Sequence, residues 1–226
     1  MIFKDRADAG RKLAAQLTRY ADRPDVLVLA LPRGGVPVAY EVAKALNAPL
    51  DIFLVRKLGV PGHEELAMGA IATGGVRVVN DDLVSYLGIP DEVIDSIAAT
   101  EQRELERREQ AYRDGRPPPD ARDRVVILID DGLATGSTMR AAAASLRLQK
   151  PARIVVAVPV SSPETCEEFR SEVDEIVCAV TPQHFQGVGP WYDNFSQTSD
   201  EEVRELLKRA TQQQQLTASR ARQGQT

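Results

Sequence analysis

The chain has 226 residues, which is enough to bury a substantial core as a single domain. Hydrophobic residues make up 43% of it and charged residues 27%, the balance of an ordinary soluble globular protein. Its formal net charge of -5 argues against a nucleic-acid-binding protein that works through bulk electrostatic attraction. The sequence shows no apolar run of membrane-spanning length, and we expect no secretory signal. We therefore expect a cytoplasmic protein without a membrane partner.

The two cysteines, Cys166 and Cys178, do not form a CxxC motif. Two isolated thiols in a chain of this length are typical of small buried apolar residues in a reducing compartment. The sequence therefore predicts neither a disulfide framework nor a cysteine-based metal site.

The N-terminal part of the chain predicts a helix, a buried strand and a second helix. Residues 4–20 carry apolar side chains at helical spacing, with Asp5 as the expected N-cap. Residues 26–31 are continuously apolar, which is typical of a strand buried on both faces of a parallel sheet. The turn Arg33-Gly34-Gly35 then leads into a predicted helix over residues 36–46. Its glycines allow the backbone to approach an anion closely, and Arg33 offers a guanidinium suited to phosphate oxygens.

A third apolar run, residues 50–55, predicts a strand that ends at Arg56 and Lys57. These two adjacent cations have two interpretations: a solvated surface pair, or a pair that binds an anionic ligand. Further on, Gly74-Gly75 separates two apolar segments and predicts a β-hairpin. Residues 81–113 predict helices, with a new helix beginning at Pro90 and an exposed face of closely spaced acidic and basic side chains.

The most informative stretch is residues 125–138. Five apolar residues predict a strand buried on both faces, and Asp130 and Asp131 follow where it ends. A turn of small residues then leads into an alanine-rich helix, so that residues 134–138 can hold a phosphate at a helix N-terminus. The turn has no lysine, which excludes a Walker A loop, and it lacks the GxGxxG spacing of a dinucleotide site. Carboxylates beside an anion site indicate a ligand with hydroxyl groups or a divalent metal, and a sugar phosphate meets both conditions.

The C-terminal third predicts strands over residues 154–160 and 175–180, with a helix beginning at Pro163 between them. Four of the eleven aromatic residues then fall within residues 181–195: Phe185, Trp191, Tyr192 and Phe195. They have two interpretations, packing under a cap or stacking on a planar ligand, and the sequence leaves both open. Residues 200–210 predict a final helix, and the glutamine-rich tail, residues 211–226, is expected to be disordered.

Residues 125–138 closely resemble the phosphoribosyl pyrophosphate (PRPP) motif of type I phosphoribosyltransferases: an apolar strand, two acidic residues and a turn ending in Thr-Gly-x-Thr. Arg33-Gly34-Gly35 and Arg56-Lys57 precede this motif in the family's order, so the resemblance covers roughly residues 26–160. It implies an α/β fold with a doubly wound, mostly parallel sheet, a helical insertion at about residues 81–119 and a small C-terminal hood at about residues 181–199. One domain would then span residues 1–210.

The resemblance also implies roles for individual residues. Asp130 and Asp131 would hold the ribose hydroxyls and, with Arg56 and Lys57, act at the reaction centre. The 5′-phosphate would be bound by residues Ala134, Thr135, Gly136, Ser137 and Thr138. Pyrophosphate would be bound by Arg33, Gly34, Gly35 and Lys57. The base would face a hood that includes Phe185, Trp191 and Tyr192.

The implied reaction transfers the phosphoribosyl group of PRPP to a nitrogen base and releases pyrophosphate. Mg²⁺ is expected to arrive with PRPP, with Asp130 and Asp131 as its candidate protein ligands. In this family the segment after the second main strand is a mobile arm, so His63, Glu64 and Glu65 are candidate lid residues. The long insertion is expected to be an enlarged lid or a dimer contact, and the sequence leaves a homodimer open.

Two other functions are weighed against a transferase. A regulatory protein of the same fold would sense PRPP or a nucleotide without turnover, and only pyrophosphate release separates it from an enzyme. A sugar-phosphate phosphatase is disfavoured, because neither cysteine lies in a phosphate loop and Asp130-Asp131 lacks the DxD spacing of aspartate-based phosphatases. The sequence does not identify the acceptor base.

Overall fold

A computed structural model describes residues 3–223 and has an α/β architecture, as predicted. The strands within this range are, in chain order, β1 (Val26–Ala30), β2 (Leu50–Ile52), β3 (Val55–Val60), β4 (His63–Ala72), β5 (Val76–Val79), β6 (Val125–Ile129), β7 (Arg153–Val160) and β8 (Glu175–Val180). The α-helices within it are α1 (Arg6–Ala14), α2 (Gly35–Leu46), α3 (Asp81–Leu87), α4 (Asp91–Arg113), α5 (Ser137–Leu148), α6 (Pro163–Phe169) and α7 (Asp200–Gln223). Short 3₁₀ turns occupy Thr18–Tyr20 and Gly189–Trp191.

The main sheet has five parallel strands in the order β2-β1-β6-β7-β8. Alternate side chains of each strand enter different cores, which is why these strands are apolar without alternation. Val26 and Val28 of β1 pack with α1, α2 and α7, whereas Leu27 and Leu29 pack with α5 and α6. Helices therefore cover both faces, and the predicted doubly wound sheet is confirmed.

The strand order reverses between β1 and β6. From β1 the chain continues to β2 on one side, and from β6 it continues to β7 and β8 on the other. The loops that follow β1 and β6 therefore diverge, which opens a crevice at the carboxyl ends of these two strands. Ligands of doubly wound proteins bind at such a switch point.

A second, antiparallel sheet of β3, β4 and β5 lies apart from the main one. The prediction of one strand over residues 50–55 was wrong: β2 ends at Ile52, and Val55 already belongs to β3 of the second sheet. Phe53 and Leu54 are both buried between the two strands, so the apolar run continues across the change of sheet and hides it. Arg56 and Lys57 therefore lie inside β3 and not at the end of a parallel strand.

The predicted hairpin and the helix break are confirmed. Ala72 pairs with Val76, and both Gly74 and Gly75 have positive φ angles, +85° and +73°. Pro90 precedes the first residue of α4 as its N-cap. Together β3–β5, α3 and α4 form one insertion, which we call the lid lobe (residues 55–113).

The final helix is longer than predicted. The segment from Thr211 continues α7 as far as Gln223, so the expected disordered tail was wrong for residues 211–223, and residues 224–226 lie outside the described part. Val203, Leu207 and Ala210 bury one side of α7. Arg116 donates to Thr211 Oγ1 at 2.7 Å beyond the expected end. Glutamine is a good helix former, so the run extends a helix that is already packed.

The two cysteines form one disulfide, Cys166–Cys178, which joins α6 to β8. The prediction of two separate thiols was wrong. Their spacing of 12 residues has no signature of its own, and only the packing of α6 beside β8 brings the sulfur atoms together. Within residues 3–223, no helix combines the length and apolar character needed to cross a bilayer.

Candidate functional site

The candidate site lies at the switch point between β1 and β6. Because Ala30 pairs with Ile129, the two strands end side by side, and Leu31 donates to the Ile129 carbonyl at 2.8 Å. The Arg33-Gly34-Gly35 turn follows β1, and Asp130-Asp131 follows β6. Two motifs separated by almost a hundred residues in the chain are thereby adjacent.

Gly34 and Gly35 are needed for this close approach. A Cβ on Gly34 would overlap the Asp131 carboxylate, and a Cβ on Gly35 would lie 2.6 Å from the Ile129 carbonyl oxygen. Neither glycine has a positive φ, so what requires glycine here is space and not backbone conformation.

Asp130 and Asp131 are held differently. The Asp131 amide donates to Asp130 Oδ1 at 2.8 Å, and Arg6 Nε donates to Asp131 Oδ2 at 2.8 Å. Burial, and then the charge of Asp131, raise the pKa of Asp130 well above its ordinary value. Burial also raises the pKa of Asp131, although the ion pair with Arg6 opposes this effect.

Each carboxylate keeps one oxygen without a donor. Asp130 Oδ2 and Asp131 Oδ1 accept no hydrogen bond from the part of the chain that the structure describes. Two neighbouring carboxylates with one open oxygen each are suited to accept hydrogen bonds from two adjacent hydroxyl groups.

Arg6, at the start of α1, is a site residue that sequence reasoning missed. Its side chain is 11% exposed, donates to the Ser196 carbonyl at 2.6 Å and lies 4.1 Å from the centre of the Phe195 ring. An arginine in the first turn of a helix is ordinarily solvated, so nothing local in the sequence indicated a contact with Asp131, which is 125 residues away.

The aromatic segment packs against the N-terminus. Phe3 and Trp191 pair through their main chains, and Tyr192 is 6% exposed, with its ring in contact with Phe3 and Phe195. The Tyr192 hydroxyl donates to the Asp131 carbonyl at 2.5 Å, and burial raises its pKa. Tyr192 therefore packs within the hood between two other rings, and its role towards a base stays a prediction.

The other hood aromatics differ in exposure. Phe185 and Trp191 are half-buried against the same cluster, and their role towards a base stays a prediction. Phe195, by contrast, is 38% exposed beside Arg6.

The predicted phosphate loop, residues 134–138, leads into α5. Gly136 has a φ of +72° and precedes the first helical residue, Ser137. A Cβ at Gly136 would lie 2.5 Å from the Phe169 ring, so both conformation and space require glycine. Ala134, Thr135, Ser137 and Thr138 are exposed, and the amides at this helix N-terminus favour an anion.

The predicted cations lie in two parts of the fold, Arg33 beside the main sheet and Arg56 and Lys57 in the lid lobe. Arg33 is 39% exposed and lies 3.6 Å from Asp200 of α7. Arg56 is paired with Glu101 of α4 at 2.5 Å, and Lys57 is exposed. Within residues 3–223, neither Arg56 nor Lys57 forms an ion pair with Asp130 or Asp131, so the structure joins the acidic pair with the Arg33 turn but not with these two cations.

No group of three or more histidine, cysteine, aspartate or glutamate side chains within the described range is arranged to hold a metal ion. Among the candidate lid residues, His63 is exposed at the start of β4, and the side chains of Glu64 and Glu65 lie outside what the structure describes.

Comparison with known proteins identifies relatives of the whole site-bearing region. A family model described as "Phosphoribosyl transferase domain" matches residues 2–193. Two curated Mycobacterium tuberculosis proteins, Rv0571c of strain H37Rv and MT0597 of strain CDC 1551, are 46% identical over 209 residues, and both carry a provisional phosphoribosyl transferase name. The match covers 92% of this chain and 47% of theirs, so the chain spans about half the length of these relatives.

A crystal structure of TT1426 from Thermus thermophilus has a similar fold. It superposes with a TM-score of 0.82 at 41% sequence identity, and the match covers 92% of this chain and 98% of that one.

Proposed function

The chain belongs to the phosphoribosyl transferase domain family, and on that premise we propose that it binds Mg·PRPP and transfers the phosphoribosyl group to a nitrogen base with release of pyrophosphate. The observation that carries this proposal is the acidic pair with its two open carboxylate oxygens, which lies between an amide-lined helix N-terminus and a turn with an exposed arginine.

The ribose is held by the acidic pair. Asp130 Oδ2 and Asp131 Oδ1 accept hydrogen bonds from the two ring hydroxyls, and both oxygens have no donor within the described residues. Arg6 occupies the other oxygen of Asp131 and thereby orients its carboxylate. Two acceptors on adjacent residues, one of them oriented by an arginine, can fix the sugar ring through both of its hydroxyls.

The two phosphate-bearing ends of PRPP lie on either side of the ribose. Amides of residues 134–138 bind the 5′-phosphate, while the Arg33-Gly34-Gly35 turn and Lys57 bind the pyrophosphate. As the bond from C1 to pyrophosphate breaks, negative charge grows on the leaving group. Arg33 stabilises that charge without needing to move far, because it is already exposed at the switch point.

The residues present fit a Mg²⁺ ion carried by the substrate. Mg²⁺ is usually held by one or two carboxylates together with substrate phosphates and water, and not by a cage of protein ligands alone. Asp130 and Asp131 would be the carboxylates that hold such an ion together with the substrate. When bound, the ion neutralises charge on pyrophosphate.

The reaction needs no protein nucleophile, because the base itself attacks C1. The task of the chain is to hold both reactants and to exclude water, since water would hydrolyse PRPP. The lid lobe begins directly beyond the carboxyl end of β2, where a moving hairpin would cover the crevice.

Isothermal titration of Mg·PRPP into the purified protein tests the proposal, with ribose 5-phosphate and ATP as comparison ligands. We expect PRPP to bind most tightly, and pyrophosphate release is then assayed with purine, pyrimidine and other amine acceptors. Binding with no release for any acceptor would indicate a PRPP sensor of the same fold. No binding to folded protein would refute both functions.

The site assignment is tested by the double variant Asp130→Asn, Asp131→Asn. Both side chains keep their size, so the fold should persist, while the charged acceptors for ribose are lost. We expect no measurable PRPP binding, with circular dichroism unchanged. Wild-type affinity in the folded variant would refute the assignment of the acidic pair.

A further inference from the structure

Two carbonyl groups of the phosphate loop each accept a hydrogen bond from a side chain that lies outside the loop. Thr165 of α6 donates from Oγ1 to the Ala134 carbonyl at 3.2 Å. Arg140 of α5 donates from Nη1 to the Thr135 carbonyl at 2.6 Å. Neither residue belongs to the PRPP motif.

The orientation of these carbonyls sets the orientation of the amides. In a planar trans peptide the C=O and the following N–H point in opposite directions. The peptides that follow Ala134 and Thr135 are both trans. The N–H groups of Thr135 and Gly136 therefore point away from Thr165 and Arg140, and within residues 3–223 they donate to no acceptor.

Both donors are themselves firmly held. Arg140 also donates to Glu172 at 2.8 Å and to Glu168 at 2.6 Å, and its guanidinium lies 4.8 Å from the ring centre of Phe169. Thr165 accepts a hydrogen bond from the Ser162 hydroxyl at 3.1 Å. Phe169 is fully buried and fills the space beside Gly136. The loop is thus supported from behind by α6 and by the first turn of α5.

We propose that Arg140 and Thr165 are positioning residues that keep the Thr135 and Gly136 amides directed at the 5′-phosphate. This inference rests on the proposed function, since it names the groups that prepare one subsite of the same ligand. Neither side chain touches the ligand; each acts through a main-chain carbonyl.

The test compares Thr165→Val, Thr165→Ser and Arg140→Gln with the wild type, using calorimetry with Mg·PRPP, ribose 5-phosphate and Mg·pyrophosphate. Thr165→Val removes the donor without changing charge or size, so it separates positioning from electrostatic attraction. Thr165→Ser keeps the hydroxyl. Arg147→Gln is the matched control, because Arg147 also lies on α5 and pairs with an acidic residue, Asp174, at 2.7 Å, but contacts no loop carbonyl.

We expect Thr165→Val and Arg140→Gln each to lower the affinity for PRPP and for ribose 5-phosphate by roughly tenfold, which is the scale of one hydrogen bond. Pyrophosphate, which does not use the loop, should bind as in the wild type, and Thr165→Ser and Arg147→Gln should retain wild-type affinities. The inference would be overturned if Thr165→Val and Arg140→Gln lost affinity equally for all three ligands, or if neither variant lost affinity for any of them. A wild type that binds none of them would instead overturn the proposed function, and the inference with it.

Discussion

The ionised form of Asp130 destabilises the folded protein. Its carboxylate is half-buried and lies beside a second carboxylate, and only the latter is paired with an arginine. Burial and the charge of Asp131 both raise the pKa of Asp130. A group with a raised folded pKa stabilises the fold below its unfolded pKa and loses that contribution as the pH rises through the folded value. At neutral pH, Asp130 is therefore retained at a cost to stability.

Replacing Asp130 by Asn should accordingly stabilise the protein at neutral pH. The amide oxygen can still accept a hydrogen bond from the Asp131 N–H, while the cost of ionising a buried carboxyl group is removed. We expect the free energy of unfolding at pH 7 to rise by about 1–3 kcal/mol, and this gain should shrink as the pH falls towards 4, near the ordinary pKa of 3.8. Denaturant unfolding at several pH values measures it. A variant less stable than the wild type at pH 7 would contradict this account of the site.

Arg6 connects the acidic pair to the hood through its contacts with Asp131 and the Ser196 carbonyl. In Arg6→Gln both contacts are lost, and the hood should separate from α1. Trp191 is the only tryptophan of the chain and lies in the hood, so its emission should shift to longer wavelength and be quenched more readily by acrylamide. Arg11→Gln, on the same helix but paired with Asp8 and Glu41, is the control. Identical spectra for Arg6→Gln and the wild type would exclude this role of Arg6.

At the scale of elements, the disulfide Cys166–Cys178 ties the short helix α6 to β8. A crosslink stabilises mainly by restricting the unfolded chain, and a closed loop of about a dozen residues is worth about 3 kcal/mol in that description. We expect dithiothreitol to lower the free energy of unfolding by about that amount. A Cys166→Ser, Cys178→Ser variant should not respond to the reductant. Two free thiols in denatured protein that had not been reduced would contradict the pairing.

Elements buried on both faces were predictable from the sequence, whereas contacts between distant elements were not. Runs such as residues 26–31 and 125–129 have no polar side and can only be interior strands, so their bounds agree with β1 and β6 to within a residue. The same property concealed the change of sheet after Ile52, because Phe53 and Leu54 are buried as well. Arg6, Arg140 and Thr165 carry no local signal, since their partners are brought to them only by the packing of α1, α5 and α6.

At the scale of the whole molecule, the lid lobe is joined to the main sheet by a buried arginine. Arg113 ends α4, is 1% exposed, and donates to Asp51 at 3.0 Å and to the Ile52 carbonyl at 2.8 Å. Asp51 belongs to β2, so this contact connects the far end of the lid lobe to the strand from which the lobe departs. Arg113 also pairs with Glu109 of α4 at 2.9 Å, and these buried charges are tolerated only because each one has a partner of opposite sign.

Arg113→Met should therefore destabilise the whole chain. It leaves Asp51 without its cation, and removing one partner of a buried ion pair typically costs about 3–5 kcal/mol. Arg77→Met is the control. It breaks the exposed ion pair between Arg77 of β5 and Asp95 of α4, and exposed pairs contribute less than about 1 kcal/mol to stability. In the double variant Asp51→Asn, Arg113→Met, the unpaired charge of Asp51 is gone and only Glu109 still lacks its arginine, so the loss of unfolding free energy should be smaller than the sum of the two single losses. Denaturant unfolding of the wild type, the two single variants and the double variant measures the coupling between Asp51 and Arg113. Strictly additive losses would mean that the charges of these two side chains do not join the lid lobe to the main sheet.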